Sequence, residues 1–142
     1  MNDVLPTRSQ LLQACRKGEP PPDHPVLLRA RALADLHVRR LGADRTAVRD
    51  IDECRARLVR DIDRWSEVRL PSARGGAYLH TESLGAVIDR LAHLSVTAHA
   101  ALAAEADWDL WFAWERLAEL AIAYEDLATE LTAGRRRLPN AF

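Results

Sequence analysis

Cysteine, lysine and long apolar runs are scarce in this sequence, and each scarcity argues against a class of protein. The two cysteines, Cys15 and Cys54, lie far apart and match no metal-ligand spacing such as C-x-x-C, which argues against a disulfide framework or a zinc site. No segment approaches the roughly 18 apolar residues of a membrane span. The first residues lack the basic start and apolar run of a signal peptide. We therefore expect a cytoplasmic protein.

Lysine occurs once, at Lys17, so nearly all of the positive charge is carried by arginine. Together with abundant alanine and leucine, this is typical of the codon usage of a GC-rich genome and does not by itself indicate a nucleic-acid partner. The three arginines after Gly134 suit the end of a helix, where positive charge meets the negative end of the helix dipole. Without a basic face or stacking aromatics they provide little specificity, so we do not expect nucleic-acid binding.

The usual catalytic signatures are also missing. The sequence has no glycine-rich phosphate loop, no G-x-S-x-G and no H-E-x-x-H. It also lacks the Glu-x-x-His pairs of ferritin-type di-iron sites. His93 and His99 are six positions apart on a predicted helix, so they cannot share one metal ion without distortion. We expect no cofactor.

Length and composition indicate one ordinary globular domain. The chain has 142 residues, 48% of them hydrophobic and 29% charged, with a formal net charge of -1. A domain of this size can bury most of the surface that its unfolded chain exposes. We predict a single helical-bundle domain over residues 1–142. Residues 1–24 are predicted to form a peripheral short helix and a proline-rich loop, and residues 134–142 a tail.

Helical periodicity runs between clear breaks, and no convincing alternating strand is found. Thr7 and Gln10 have the spacing of a capping box at the start of a short first helix. Four longer amphipathic stretches with short connections follow. The predicted fold is all-α, an antiparallel up-and-down four-helix bundle with a short extra N-terminal helix. The predicted helices span roughly Arg8–Lys17, Pro25–Leu41, Asp44–Arg69, Thr81–Ala104 and Asp107–Ala133.

The fourth predicted helix aligns three polar side chains opposite its main apolar stripe. On a helical wheel these are Glu82, Asp89 and His93. One interpretation is a solvated face, because charged groups usually stay in water. The other is a carboxylate and imidazole cluster beside a groove, which would perform acid–base chemistry or hold a metal ion.

A second stripe of small residues on the same helix indicates contact on more than one side. It contains Ala92, Val96, His99 and Ala103. Gly85 agrees with this interpretation, since glycine inside a helix costs about 1 kcal/mol relative to alanine and close packing is a usual reason for it. Either a central position in the fold or a dimer seam would explain both features.

Three polar side chains, those of His37, Arg55 and Tyr124, lie within the apolar stripes of their own helices. A buried charge needs compensation, so Arg55 must find a carboxylate, solvent or an anionic ligand. In one interpretation Arg55 pairs with an acid on its own helix, such as Asp52 or Asp63, while His37 and Tyr124 bond to each other or to water. In the other, the three residues are catalytic and line a pocket for a small anionic molecule. Arg55 would then be the counter-ion, and His37 or Tyr124 the proton donor.

The aromatic run WDLWFAWERL opens the fifth predicted helix. Trp114 follows the apolar stripe, whereas Trp108 and Phe112 fall on the polar side. These two rings either pack under the first helix or the loop at Pro20–Pro22, or they mark a contact surface for a second subunit or a partner.

The stretch TESLGAVIDRLAHLSVTAH, residues 81–99, resembles the signature helix of a bacterial all-helical family catalogued only as a domain of unknown function. The matching positions are Thr81, Glu82, Gly85, Ile88, Asp89, Arg90 and Leu91. The resemblance implies a functional role for Glu82, Asp89 and Arg90, and we take these three with His93 as candidate ligand-binding residues. It implies no particular activity.

Two functions remain as expectations. The first is a non-catalytic bundle, self-associating as a homodimer, that acts as a binding or accessory protein through Trp108, Phe112 and the flank of small residues. The second is a small enzyme in which His37 and Arg55 handle an anionic substrate by proton transfer between helices. Whether the chain is an enzyme at all is left open by the residues. A protein carboxylate paired with Arg55 would favour the first.

Overall fold

The computed structural model describes residues 5–16, 18–104 and 107–139, and these are predominantly helical. The prediction of an all-α protein is confirmed, and three of the five helices have boundaries within one residue of those predicted. The first helix ends at Ala14, and its predicted end at Lys17 lies outside the described residues. The helices are α1 (Arg8–Ala14), α2 (Pro25–Arg40), α3 (Arg45–Arg69), α4 (Leu84–Ala104) and α5 (Asp107–Thr132).

Local capping interactions explain where the helices begin. Thr7 and Gln10 form the predicted capping box of α1. The His24 imidazole accepts a hydrogen bond from the second backbone amide of α2, and Pro25 occupies the first helical position. The Asp44 side chain caps α3.

The helix α4 begins three residues later than predicted. The Ser83 hydroxyl accepts a hydrogen bond from the Ala86 amide at 3.2 Å, as an N-cap serine does. Thr81 and Glu82 therefore precede the helix. The helical wheel that aligned Glu82 with Asp89 and His93 is therefore not valid for Glu82, because the wheel treated this residue as part of the helix.

The helix α4 lies at the centre of the fold and contacts α1, α2, α3 and α5. The predicted contact on more than one side is confirmed, and it comes from a central position within one chain. The apolar stripe of α4 is fully buried at Leu84, Ile88 and Leu91. In the described part of the chain, the backbone of α5 approaches α4 and α1 but neither α2 nor α3. The up-and-down four-helix arrangement is therefore not confirmed.

Two short strands, β1 (Tyr78–Leu79) and β2 (Arg136–Arg137), form a parallel pair that was not predicted. The Tyr78 amide donates to the Arg135 carbonyl at 3.2 Å, and the His80 amide donates to the Arg137 carbonyl at 2.8 Å. Two residues are too few for an alternating pattern to be visible in sequence. The pair joins the α3–α4 connection to the segment after α5.

Among the helices that the structure describes, none is long and apolar enough to cross a membrane.

Candidate functional site

A polar cluster joins α2, α3 and α4 where the three helices meet. At its centre the side chain of Asp89 is only 16% exposed, that of His37 4% and that of Arg55 23%. The prediction that His37 and Arg55 project inward from neighbouring helices is confirmed. We call this group the Asp89 cluster; its members are His37, Arg40, Asp52, Arg55 and Asp89.

Asp89 binds both inward-facing side chains at once. The His37 Nε2 lies 2.8 Å from the Asp89 Oδ1. The Arg55 guanidinium donates Nε to the same oxygen at 3.2 Å and Nη2 to Oδ2 at 2.6 Å. This is a two-point arginine–carboxylate pair, the strongest geometry available to these groups. The solvated face proposed for this part of α4 is therefore wrong for Asp89.

Arg55 has a second carboxylate partner on its own helix. Its Nη1 donates to the Asp52 Oδ1 at 2.7 Å. Asp52 also accepts from the Arg40 Nε at 3.0 Å and Nη2 at 3.3 Å. Positive and negative groups thus alternate from Arg40 to Asp89, and Arg55 needs no anionic ligand to balance its charge.

The same contacts determine the protonation state of Asp89. Burial raises the pKa of this carboxyl, but the hydrogen bonds from His37 and Arg55 outweigh burial and leave the pKa below its usual range. Asp89 is consequently ionised at neutral pH and acts as a hydrogen-bond acceptor that holds three helices together.

His93 lies at the exposed edge of the Asp89 cluster. Its ring stacks on that of His37, with centroids 4.8 Å apart and planes inclined by 12°. Partial burial, followed by the positive charges of His37 and Arg55, lowers the pKa of His93 below that of a free histidine. Asp89 opposes this shift and Arg40 adds to it. Folding therefore disfavours protonation of His93.

We expect the stability of the protein to fall as the pH is lowered through about 6.5, the ordinary pKa of histidine. The unfolded chain binds a proton at His93 more readily than the folded chain, so acid favours unfolding over this range. A His93→Gln variant should lose part of this dependence. Urea unfolding followed by circular dichroism at several pH values measures it, and identical pH profiles for the two proteins would contradict the expectation.

Tyr124 lies away from the Asp89 cluster. Its hydroxyl donates to the carbonyl of Pro6 at 2.7 Å, and burial raises the pKa of the phenol. The ring is part of the core on α5, which does not approach α2 or α3 in the described ranges. The structure therefore does not bring Tyr124 to His37 and Arg55, and of the two interactions considered, a bond between Tyr124 and His37 or bonds to water, the first is not formed.

Glu82 and Arg90 form a separate ion pair at 3.0 Å on the surface of the protein. Exposed pairs of this kind contribute little to stability. Glu82 thus does not join Asp89 and His93. In the part of the chain that is described, no group of three or more histidine, cysteine or acidic side chains is arranged to hold a metal ion. The ligand-binding role of Glu82, Asp89, Arg90 and His93 stays a prediction.

A second feature is an aromatic surface on the first half of α5, formed by Trp108, Trp111 and Phe112. These side chains are 73%, 59% and 50% exposed. The Phe112 ring lies 5.6 Å from that of Trp108 and 5.2 Å from that of Trp111, measured between centroids. The rings contact each other and remain open to solvent, so packing under α1 or the proline loop is the wrong interpretation.

Sequence reasoning missed three contributors to these two features. Arg40 and Asp52 were not assigned to the Asp89 cluster, although Asp52 was weighed as a partner of Arg55. Trp111 was not assigned to the aromatic surface, although its spacing of three residues from Trp108 places both on neighbouring positions of one helix face.

The model of a family described as "Protein of unknown function (DUF4254)" matches residues 30–140 of the chain. These residues include the Asp89 cluster and the aromatic surface. Comparisons with curated proteins and with solved structures give no match.

Proposed function

The chain belongs to the family of proteins of unknown function DUF4254, and we propose that it is a non-catalytic binding or accessory protein that self-associates through the aromatic surface. The observation that supports this proposal most directly is the exposure of three large rings in mutual contact. The largest apolar patch on a protein is often functional, and aromatic side chains are enriched at interfaces.

The size of the aromatic surface suits the core of a dimer interface. At about 200 Å² per aromatic side chain, the exposed parts of Trp108, Trp111 and Phe112 amount to roughly 350 Å². Trp114, which lines a shallow depression together with Trp111, adds further exposed apolar area. A standard interface buries about 800 Å² per partner, with a polar rim around an apolar core. The aromatic surface can supply the core, and neighbouring polar residues of α5 the rim.

A second copy of this chain is the occupant that we propose for the aromatic surface. A twofold axis brings the same patch of both subunits together, and twofold dimers are the commonest soluble oligomers. Uncharged rings can pack against their own copy, whereas a surface rich in one charge would repel it. Offset-stacked and edge-to-face ring pairs would add to the burial of apolar area.

The Asp89 cluster has a structural role in this proposal. Its charges neutralise one another, and its hydrogen bonds set the relative positions of α2, α3 and α4. The alternative function, a small enzyme that acts on an anionic small molecule by proton transfer with His37 and Arg55, stays a prediction. The burial of His37 and the two carboxylates on Arg55 both argue against it.

We propose that the protein acts in a bacterial cytoplasm. We also propose that a single domain spans the chain. One apolar core contains residues from all five helices, which supports a single domain. Both cysteines are free. Burial raises the pKa of Cys15 to about 12, so this thiol is unreactive, as expected for a protein that does not depend on disulfides.

Replacing Trp108 or Phe112 with alanine should dissociate the dimer. If each truncation removes about 1 kcal/mol and a twofold interface loses it twice, the dissociation constant rises about thirtyfold. Sedimentation equilibrium of the wild type and both variants measures the change. Leu28→Ala is the matched control, because Leu28 is also an exposed apolar residue but lies on α2, which α5 does not approach in the described part of the chain. A wild-type protein that is monomeric throughout the accessible concentration range would overturn self-association.

A further inference from the structure

The β1–β2 pair assembles a basic and aromatic surface from two distant parts of the sequence. Tyr78 lies directly beside Arg136 in the strand register, and the Arg74 amide donates to the Gly134 carbonyl at 2.9 Å. Arg136 thereby lies beside an aromatic side chain, whereas Arg137 pairs with Leu79 and donates its Nε to the Ala77 carbonyl at 3.4 Å. We call this the Tyr78 surface; its members are Arg74, Tyr78, Arg135, Arg136 and Arg137.

The Tyr78 ring is open to solvent. Its side chain is 75% exposed, and the neighbouring Leu79 is also exposed. A ring held on a strand by backbone hydrogen bonds loses little freedom when another flat group stacks on it. It provides the stacking aromatic that the arginine run lacks in the sequence.

The positive charge of the Tyr78 surface is only partly neutralised. Glu130 accepts from Arg135 at 2.6 Å and lies 3.9 Å from Arg136. Arg74 and Arg137 have no carboxylate within ion-pair distance among the described residues. Burial is the main cause that lowers the pKa of nearby His80; the charges of Arg136 and Arg90 add to the shift and that of Glu82 opposes it.

We propose that the Tyr78 surface binds single-stranded nucleic acid. Arg74 and Arg137 would contact phosphates, and a base would stack on the Tyr78 ring. Proteins that bind single strands combine a basic surface with aromatic rings in this way, because every base has a face that can stack. A surface with one ring contacts few nucleotides, so the affinity is weak, sequence-tolerant and sensitive to salt. The proposal extends beyond self-association and uses a different surface.

Fluorescence anisotropy with short labelled oligonucleotides of mixed sequence tests the proposal, with separate RNA and DNA arms to identify the preferred strand. We expect Tyr78→Ala to weaken binding about fivefold or more, because it removes the stacking ring. Tyr78→Phe should retain binding, since the ring remains. Arg137→Ala should weaken binding. It should also reduce by about 0.7 the slope of the logarithm of the binding constant against the logarithm of salt concentration, as expected for one lost phosphate contact on a single strand.

The matched control is Arg49→Ala. Arg49 is an exposed arginine of α3, twenty residues or about 30 Å along the helix from its end at Arg69. Its replacement removes the same charge and should leave binding unchanged. Thermal unfolding verifies that all four variants fold. The proposal fails if the wild type binds neither RNA nor DNA. It also fails if Tyr78→Ala binds as well as the wild type, since the surface would then attract polyanions, including acidic proteins and anionic membranes, by charge alone.

Discussion

Replacing Asp89 with alanine should lower the free energy of unfolding by about 3–5 kcal/mol, the range measured when one partner of a buried ion pair is removed. The variant leaves Arg55 without its two-point partner and His37 without its acceptor, and both side chains are largely enclosed by α2, α3 and α4. For a domain of this size the midpoint of thermal unfolding should fall by roughly 10 °C. Urea and thermal unfolding followed by circular dichroism measure both quantities.

Asp52→Ala is the matched control for Asp89→Ala. It also removes a carboxylate bonded to Arg55, but Asp52 lies at the rim of the cluster and is exposed to solvent. Because water can replace its bonds, we expect a loss below about 1 kcal/mol. Asp89→Asn keeps the shape of the side chain and removes its charge, so it should be nearly as damaging as alanine. Equal and small losses for Asp89→Ala and Asp52→Ala would show that the cluster does not hold the helices together.

Replacing Gly85 with alanine should lower the free energy of unfolding by about 2 kcal/mol, within the range for overpacked cores. At an ordinary helix interior the same substitution stabilises by about 1 kcal/mol. At Gly85 a methyl group would collide with the backbone carbonyl and side chain of Val59 and with the Asp63 carboxylate. The collision would also displace the hydrogen bond from the Gly85 amide to the Asp63 Oδ1, which is 2.7 Å long. Since a backbone atom of α3 blocks the site, α4 must move away from α3.

Gly42→Ala is the control for Gly85→Ala. Apart from the residue itself and its two chain neighbours, no atom lies within 4 Å of a methyl group at Gly42, so the change should stay within about 0.5 kcal/mol. Chemical unfolding of both variants gives the comparison. A gain in stability for Gly85→Ala would mean that α3 and α4 are not in close contact there.

Local patterns were sufficient for the helices and for part of the Asp89 cluster. The capping box at Thr7, the proline at Pro25 and the apolar periodicity depend on residues a few positions apart, so sequence reasoning finds them. The inward direction of His37 and Arg55 follows from the same periodicity. The resemblance predicted a family of unknown function, and the match of such a family model over residues 30–140 confirms that prediction without testing the motif itself.

The direction of Asp89 was not accessible to the same reasoning. A helical wheel locates the strongest apolar stripe of α4 and assigns the opposite side to solvent. That assignment fails for a central helix, whose polar side can be covered by α2 and α3 and satisfied by partners from both. The small-residue flank and Gly85 signalled a second contact side, but they did not identify the partner helices.

The sequence by itself determined the helical class, the approximate boundaries of most helices, and the inward positions of His37 and Arg55, because each depends on short-range spacing. Only the tertiary structure decided that Asp89 is the shared partner of His37 and Arg55, and that Tyr124 bonds to Pro6. It also decided that the α5 rings remain uncovered and that Tyr78 lies beside Arg136. The physical reason is that these contacts join residues from 34 to 118 positions apart in the chain, and the geometry of helix packing, not local periodicity, determines which side chains meet at such separations.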